Sequence, residues 1–125
     1  MIEKIATDKA PGAIGPYSQA IVSGGFVFTS GQIAINPASG NVEATDIEGQ
    51  TEQVMKNLGA VLEAAGSGYD KAVKTTCFLA DMQDFAKFNE IYGKYFTSKP
   101  ARSCVAAKAL PKGALVEVEV IAEVE

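Results

Sequence analysis

Histidine is absent from this chain of 125 residues. Its absence removes Ser-His-Asp and Cys-His nucleophile chemistry, imidazole general bases, and nearly every zinc, copper or non-haem iron site. Cysteine is scarce. Cys77 and Cys104 are too far apart in sequence for a CxxC redox pair and too few for a four-ligand zinc cluster, so they read as free thiols in a reducing compartment. Positive charge is in deficit, with 11 Lys and Arg against 15 Asp and Glu, and a pI near 4.8 opposes a footprint for nucleic acid or anionic lipid. Long apolar runs are missing too. Glu3, Lys4, Asp8 and Lys9 interrupt the N-terminus before a secretory signal could develop, and no later stretch could span a bilayer. The expected address is the cytoplasm, with no membrane partner. What remains for chemistry is carboxylate, lysine, arginine, hydroxyl and thiol.

The 47% apolar and 21% charged content is that of a globular protein. At this length roughly 65% of the unfolded surface can be buried, so a core forms without disulfides or metals. No repeat or linker-like shift divides the chain, and one domain over 1–125 is expected. Residues 11–16, Pro-Gly-Ala-Ile-Gly-Pro, form a loop. A hairpin follows, with strands Ser18–Val22 and Phe26–Ser30 around a Ser23-Gly24-Gly25 turn. Asn36-Pro37 and Ser39-Gly40-Asn41 mark a further loop. Thr45 with Glu48 has the form of a capping box, ahead of a helical stripe of Ile47, Val54, Leu58, Val61, Leu62 and Ala65 that stops at Gly66. Val73–Ala80 reads as a strand. Phe85, Phe88, Tyr92, Tyr95 and Phe96 stripe a second helix, read as core, that ends before Pro100. Strands Ala101–Ala107 and Leu115–Val124 finish the chain around the Leu110-Pro111-Lys112-Gly113 turn. Two helices cover only one face of such a sheet, while Phe26 and Phe28 oppose Val27 on the strand, and an uncovered apolar face implies a partner subunit.

Arg102 is the one arginine beside ten lysines. Its place in a strand points to the planar fork that lysine cannot supply, with a carboxylate or phosphate as ligand. A structural ion pair with one of the glutamates explains it equally well. The last strand alternates Val116, Val118, Val120, Ala122 and Val124 with Glu117, Glu119, Ile121, Glu123 and Glu125, so the carboxylates share one side. Such a row is ordinarily a solvated sheet face. Glu117, nearest the turn, could serve chemistry if it faced Arg102, since a carboxylate beside an electrophile can orient and deprotonate water. Tyr17 and Ser30 border Gly- and Pro-rich loops, where side chains are often exposed for binding. Asn89 is a polar residue on the aromatic helix and reads as a surface or interface hydrogen-bonding group. Gly31 serves backbone geometry, because no phosphate-binding glycine pattern surrounds it.

Four segments, Ala10-Pro11-Gly12-Ala13-Ile14-Gly15-Pro16-Tyr17-Ser18-Gln19-Ala20, Thr29-Ser30-Gly31-Gln32-Ile33, Pro100-Ala101-Arg102-Ser103-Cys104-Val105 and Leu110-Pro111-Lys112-Gly113, closely resemble the RidA branch of the Rid (YjgF) family of reactive-intermediate deaminases. The resemblance runs from about Ile5 to Val124. It implies an α+β, chorismate-mutase-like fold, a mixed β-sheet with two helices packed on one face, assembled as a homotrimer with clefts between subunits. It also implies hydrolysis of 2-imino or 2-enamino acids, released by pyridoxal-phosphate-dependent serine/threonine dehydratases, to 2-keto acids and ammonia, with no cofactor or metal. By the same resemblance Arg102 grips the substrate carboxylate, Glu117 positions water, and the backbone at Cys104 assists. Tyr17, Ser30, Gly31 and Asn89 then fall in or near the cleft, and Val120, where relatives often carry alanine, is a small core change. A site of this kind could alternatively hold small carboxylates without turnover. A ribonuclease or translation-inhibitor role is disfavoured by the acidic charge and the missing histidine, and a single arginine suits chorismate mutase chemistry poorly.

Overall fold

The computed structural model describes residues 1–124, and Glu125 of the C-terminal carboxylate row lies outside them. Strand β1 (Glu3–Ile5) pairs antiparallel with β2 (Ala20–Ser23), which turns into β3 (Phe26–Thr29). Ser23 pairs with Phe26, so the turn is Gly24-Gly25 alone, one residue shorter than predicted. Both glycines have positive φ, 61° and 85°, and this double left-handed connection matches the twist of a hairpin at no Cβ cost. A two-stranded ribbon, β4 (Ile35–Asn36) with β5 (Asn41–Val42), occupies what the sequence reads as loop. Helix α1 (Ile47–Ala64), β6 (Ala72–Leu79), α2 (Phe85–Tyr95), β7 (Ala101–Ala106) and β8 (Val116–Glu123) complete the chain.

The main sheet runs β1-β2-β3-β8-β6-β7. Only β6–β7 is parallel, its connection being α2, so the architecture is the expected α+β mixed sheet. Val54, Met55, Leu58, Val61 and Leu62 of α1 form one buried cluster with Val27, Val116, Val118, Val120 and Ala122 of the strands. Phe88, Tyr92 and Phe96 extend it under α2, with the Tyr92 and Phe96 rings stacked at 4.8 Å. Burial alternates along β8, so Glu117, Glu119 and Ile121 face the opposite side. That side carries no helix. Phe28 and Val105 remain 43% and 50% exposed there, alongside half-buried Ile21, Phe78 and Ile121. Among the described residues no helix is long and apolar enough to cross a membrane.

The helix ends show one departure from expectation. The Thr45–Glu48 capping box does not form; Asp46 is the N-cap, its carboxylate accepting the Gly49 N–H at 2.9 Å. A charged acceptor one residue nearer the helix meets both the orphan N–H and the positive end of the dipole, which the Thr45 hydroxyl would meet less well. The C-terminus is as read. Gly66, at φ 80°, lets Ser67 N–H reach Leu62 O at 2.8 Å and its own N–H reach Glu63 O at 3.0 Å, a Schellman closure.

Candidate active site

The segment 11–17, the end of β3 and the turn before β8 enclose a cavity of about 440 Å³, whose lining includes Ile14, Tyr17, Ser30, Gly31, Lys112 and Glu117. Buried Gln19 holds the first wall. Its side-chain amide donates to Thr7 O at 3.0 Å and Pro11 O at 2.7 Å, and its carbonyl accepts Thr7 N–H at 2.7 Å. The Ser30 hydroxyl donates to Ser18 O at 2.6 Å, so this serine ties the loop to β3. Gln32 and Val118 exchange backbone hydrogen bonds of 2.9 and 3.1 Å, which sets Gly31 beside Glu117. A Cβ on Gly31 would overlap the Glu117 carboxylate and lie 2.8 Å from its carboxyl carbon. Any larger residue here would have to displace that carboxylate. From α1, Asn57 donates to Ile33 O and Ile35 O at 3.1 and 2.9 Å, and Gln50 accepts Leu115 N–H at 2.9 Å, so the helix frames the cavity from behind.

Glu117 is half-buried. Burial raises its carboxyl above the ordinary carboxylate value, and the Glu119 charge adds to the rise. A carboxylate shifted toward neutrality can take a proton from water and return it. Tyr17 is 52% exposed at the rim.

Arg102, Asn89 and Cys104 lie elsewhere. In the β6–β7 register Arg102 stands opposite Thr75 and Cys104 opposite Cys77, both buried on the helix-covered face. Glu117 instead pairs with Phe78, whose side chain is on the open face. The two candidate catalytic side chains therefore point to opposite faces of one sheet, and a single copy does not bring them together. Arg102 Nη1 donates to Asn89 Oδ1 at 2.6 Å, and its guanidinium lies 5.5 Å from the Phe85 ring centre and 4.9 Å from that of Tyr92. Among the described residues it forms no ion pair, so none of their glutamates supplies the structural ion pair. The second-helix aromatics, read as core, thus also line this arginine.

The β7 main chain supplies another donor. Ala107 N–H bonds to Leu79 O at 2.9 Å. Main-chain groups alternate sides along a strand, so Ala101, Ser103 and Val105 face β6, and Arg102 and Cys104 turn their N–H and C=O to the unpaired sheet edge. The Cys104 thiol is the weaker candidate, since burial raises its pKa while the Arg102 charge only partly opposes this. Cys77 is pushed to about 12 by burial and by Cys104. Neither thiol is an activated nucleophile.

Two contributors escaped the sequence reading. Gln19 and Lys112 were visible only as members of motifs; Gln19 is a buried polar side chain, and Lys112 sits at φ 57° between proline and a glycine of positive φ.

Comparison with known proteins places these features in context. A family model described as Endoribonuclease L-PSP matches residues 7–124. A candidate regulator named AldR from Lactococcus lactis subsp. lactis (strain IL1403) is 52% identical over 122 residues, 97% of each chain. The 2-iminobutanoate/2-iminopropanoate deaminase of Homo sapiens is 47% identical over 119 residues, 94% of this chain and 87% of that protein. The crystal structure of E. coli TdcF with bound serine is similar at a TM-score of 0.93 and 41% identity, covering 98% of this chain and 99% of that one.

Proposed function

The chain belongs to the endoribonuclease L-PSP (YjgF/Rid) family, and from this premise we propose that it deaminates 2-imino acids, such as 2-iminobutanoate and 2-iminopropanoate, to 2-keto acids and ammonia. The observation that carries the reading is the Glu117 carboxylate, set over Gly31 in a cavity rimmed by Ile14 and Tyr17 and raised in pKa by burial. The human relative's name supports the substrate class.

In this mechanism a second copy completes the site. The Arg102 guanidinium and the outward Cys104 N–H of one subunit hold the substrate carboxylate, which fixes the imine carbon near Glu117 of its neighbour. Glu117 takes a proton from water as its oxygen adds to that carbon and returns it to the imine nitrogen, giving a tetrahedral aminoalcohol. The hydroxyl proton of this adduct then passes by way of the same carboxylate to the amine nitrogen, the C–N bond breaks, and ammonia leaves as the C=O bond forms. The sum is imino acid plus water to keto acid plus ammonia, with nothing oxidised or reduced. Ser30 acts by holding the loop, its hydroxyl proton being given to Ser18 O. The apolar strip of Ile21, Phe28, Phe78, Val105 and Ile121 supports a homotrimer that buries the open face.

The decisive experiment generates the imine in situ with a threonine dehydratase and follows 2-oxobutanoate formation. A deaminase accelerates its appearance in proportion to protein added. The serine held by TdcF favours a second reading, a binder of small amino-acid-like carboxylates; a rate equal to that of buffer, with ligand bound, would establish that reading instead.

A further inference from the structure

We propose that Phe85, Asn89 and Tyr92 form a charge-neutral cradle that aims Arg102 and leaves its positive charge free for an incoming carboxylate. The inference rests on the reading of Arg102 as the carboxylate grip. The chain has 15 acidic residues, any of which could have been set against its lone arginine. The partner in the fold is an amide oxygen, at 2.6 Å. An amide accepts one N–H and orients the guanidinium plane without cancelling its charge, whereas a carboxylate would do both.

The rings act in the same sense. Phe85 and Tyr92 offer their faces at 5.5 and 4.9 Å, attracting the cation through their quadrupoles while contributing no net charge. Residues 85, 89 and 92 fall at helical spacings of four and three, so one face of α2 carries all three. The strand side secures the arrangement. Tyr92 shares a buried 2.7 Å hydrogen bond between its hydroxyl and Thr75 Oγ1, and Thr75 is the β6 residue paired with Arg102 itself. Helix and sheet therefore fix the ring and the guanidinium against the same strand position. Among the described residues one N–H direction of Arg102 is used, and the others remain for a ligand next to the outward Cys104 N–H. On this argument Asn89 is a positioning residue, acting through Arg102 and not by touching substrate.

The isostere Asn89→Asp separates aim from charge. It keeps the acceptor but places an anion where the ligand's anion would compete. Titration calorimetry of the intact protein with 2-oxobutanoate should show Asn89→Asp raising the dissociation constant by about tenfold or more, with a melting temperature equal to or above that of the parent. Asn89→Ala, which only loosens the guanidinium, should raise it by a few-fold. In turnover the Asp variant should act on KM more than on kcat. Parental affinity in Asn89→Asp, while Arg102→Lys binds poorly, would overturn the cradle and leave the grip standing. Equal losses from Asn89→Asp and Asn89→Ala would also overturn it, by making Asn89 a direct ligand contact. Parental affinity in Arg102→Lys would remove the grip and the cradle with it.

Discussion

At the scale of the residue, Glu117 is the most exposed to test. Glu117→Gln keeps the shape over Gly31 and removes the base, and general-base assistance is typically worth about 10²- to 10⁴-fold in turnover. Glu119→Gln, on the same strand face but open to solvent, should retain most activity. The pH profile separates the two further. On the proposed mechanism protonation of Glu117 removes the base, so kcat/KM should fall as pH drops through a pKa held above the usual carboxylate value by burial and by Glu119. Glu119→Gln removes one of those causes and should move this acid limb to lower pH; Glu117→Gln should abolish it. An unmoved limb in both variants would assign the titration to another group. Gly31→Ala tests the same carboxylate from below. The added methyl must push Glu117 aside, and a displacement of about 1 Å can cost on the order of 100-fold in rate. Since the clash is with the end of a flexible side chain, the melting temperature should change little. Normal turnover in Gly31→Ala would show that the position of Glu117 is not critical.

At the scale of the element, caps and edges decide where site residues stand. Asp46 closes the N-terminus of α1, the helix that also holds Leu115 through Gln50 and Ile33 through Asn57. Asp46→Ala should cost about 1 kcal/mol, seen as a melting temperature lower by roughly 4 °C for a domain of this size. Thr45→Ala, at an exposed position outside the cap, should stay within about 0.5 kcal/mol. The reverse ranking would restore the capping box. The β7 edge is the second such device: alternate main-chain groups turn outward, so among the described residues Cys104 presents its N–H at the sheet edge whatever its side chain.

For the whole molecule, an open sheet face and a divided site point the same way. The preparation should scatter light as about three times the 13.1 kDa chain mass, and Phe28→Glu, which sets a charge in the bare apolar strip, should reduce both that mass and turnover while the helix-covered core stays folded. A single-chain mass for the active parent would end the shared-site mechanism. Much of this was legible in the chain itself. Stripe and stop signals placed both helices, since Gly66 and Pro100 act locally; turn signals and residue type placed β3, β6 and β7, and alternation placed β8, each within a residue or two; and the absence of histidine with a lone Arg102 bounded the chemistry. Short strands were not legible. β1, β4 and β5 span two or three residues each and exist only because a distant or neighbouring edge pairs with them. The partition of the site was equally beyond local reading. Which face Arg102 and Glu117 take depends on strand parity counted across the β8-β6-β7 register, and a one-residue slip would exchange those faces. The choice of Asn89 as the guanidinium's partner followed from packing α2 over β7. Residue types and spacings thus determined the elements and the available chemistry, and long-range hydrogen-bond register decided which candidate groups one copy sets on the same face of the sheet and which it sets on opposite faces.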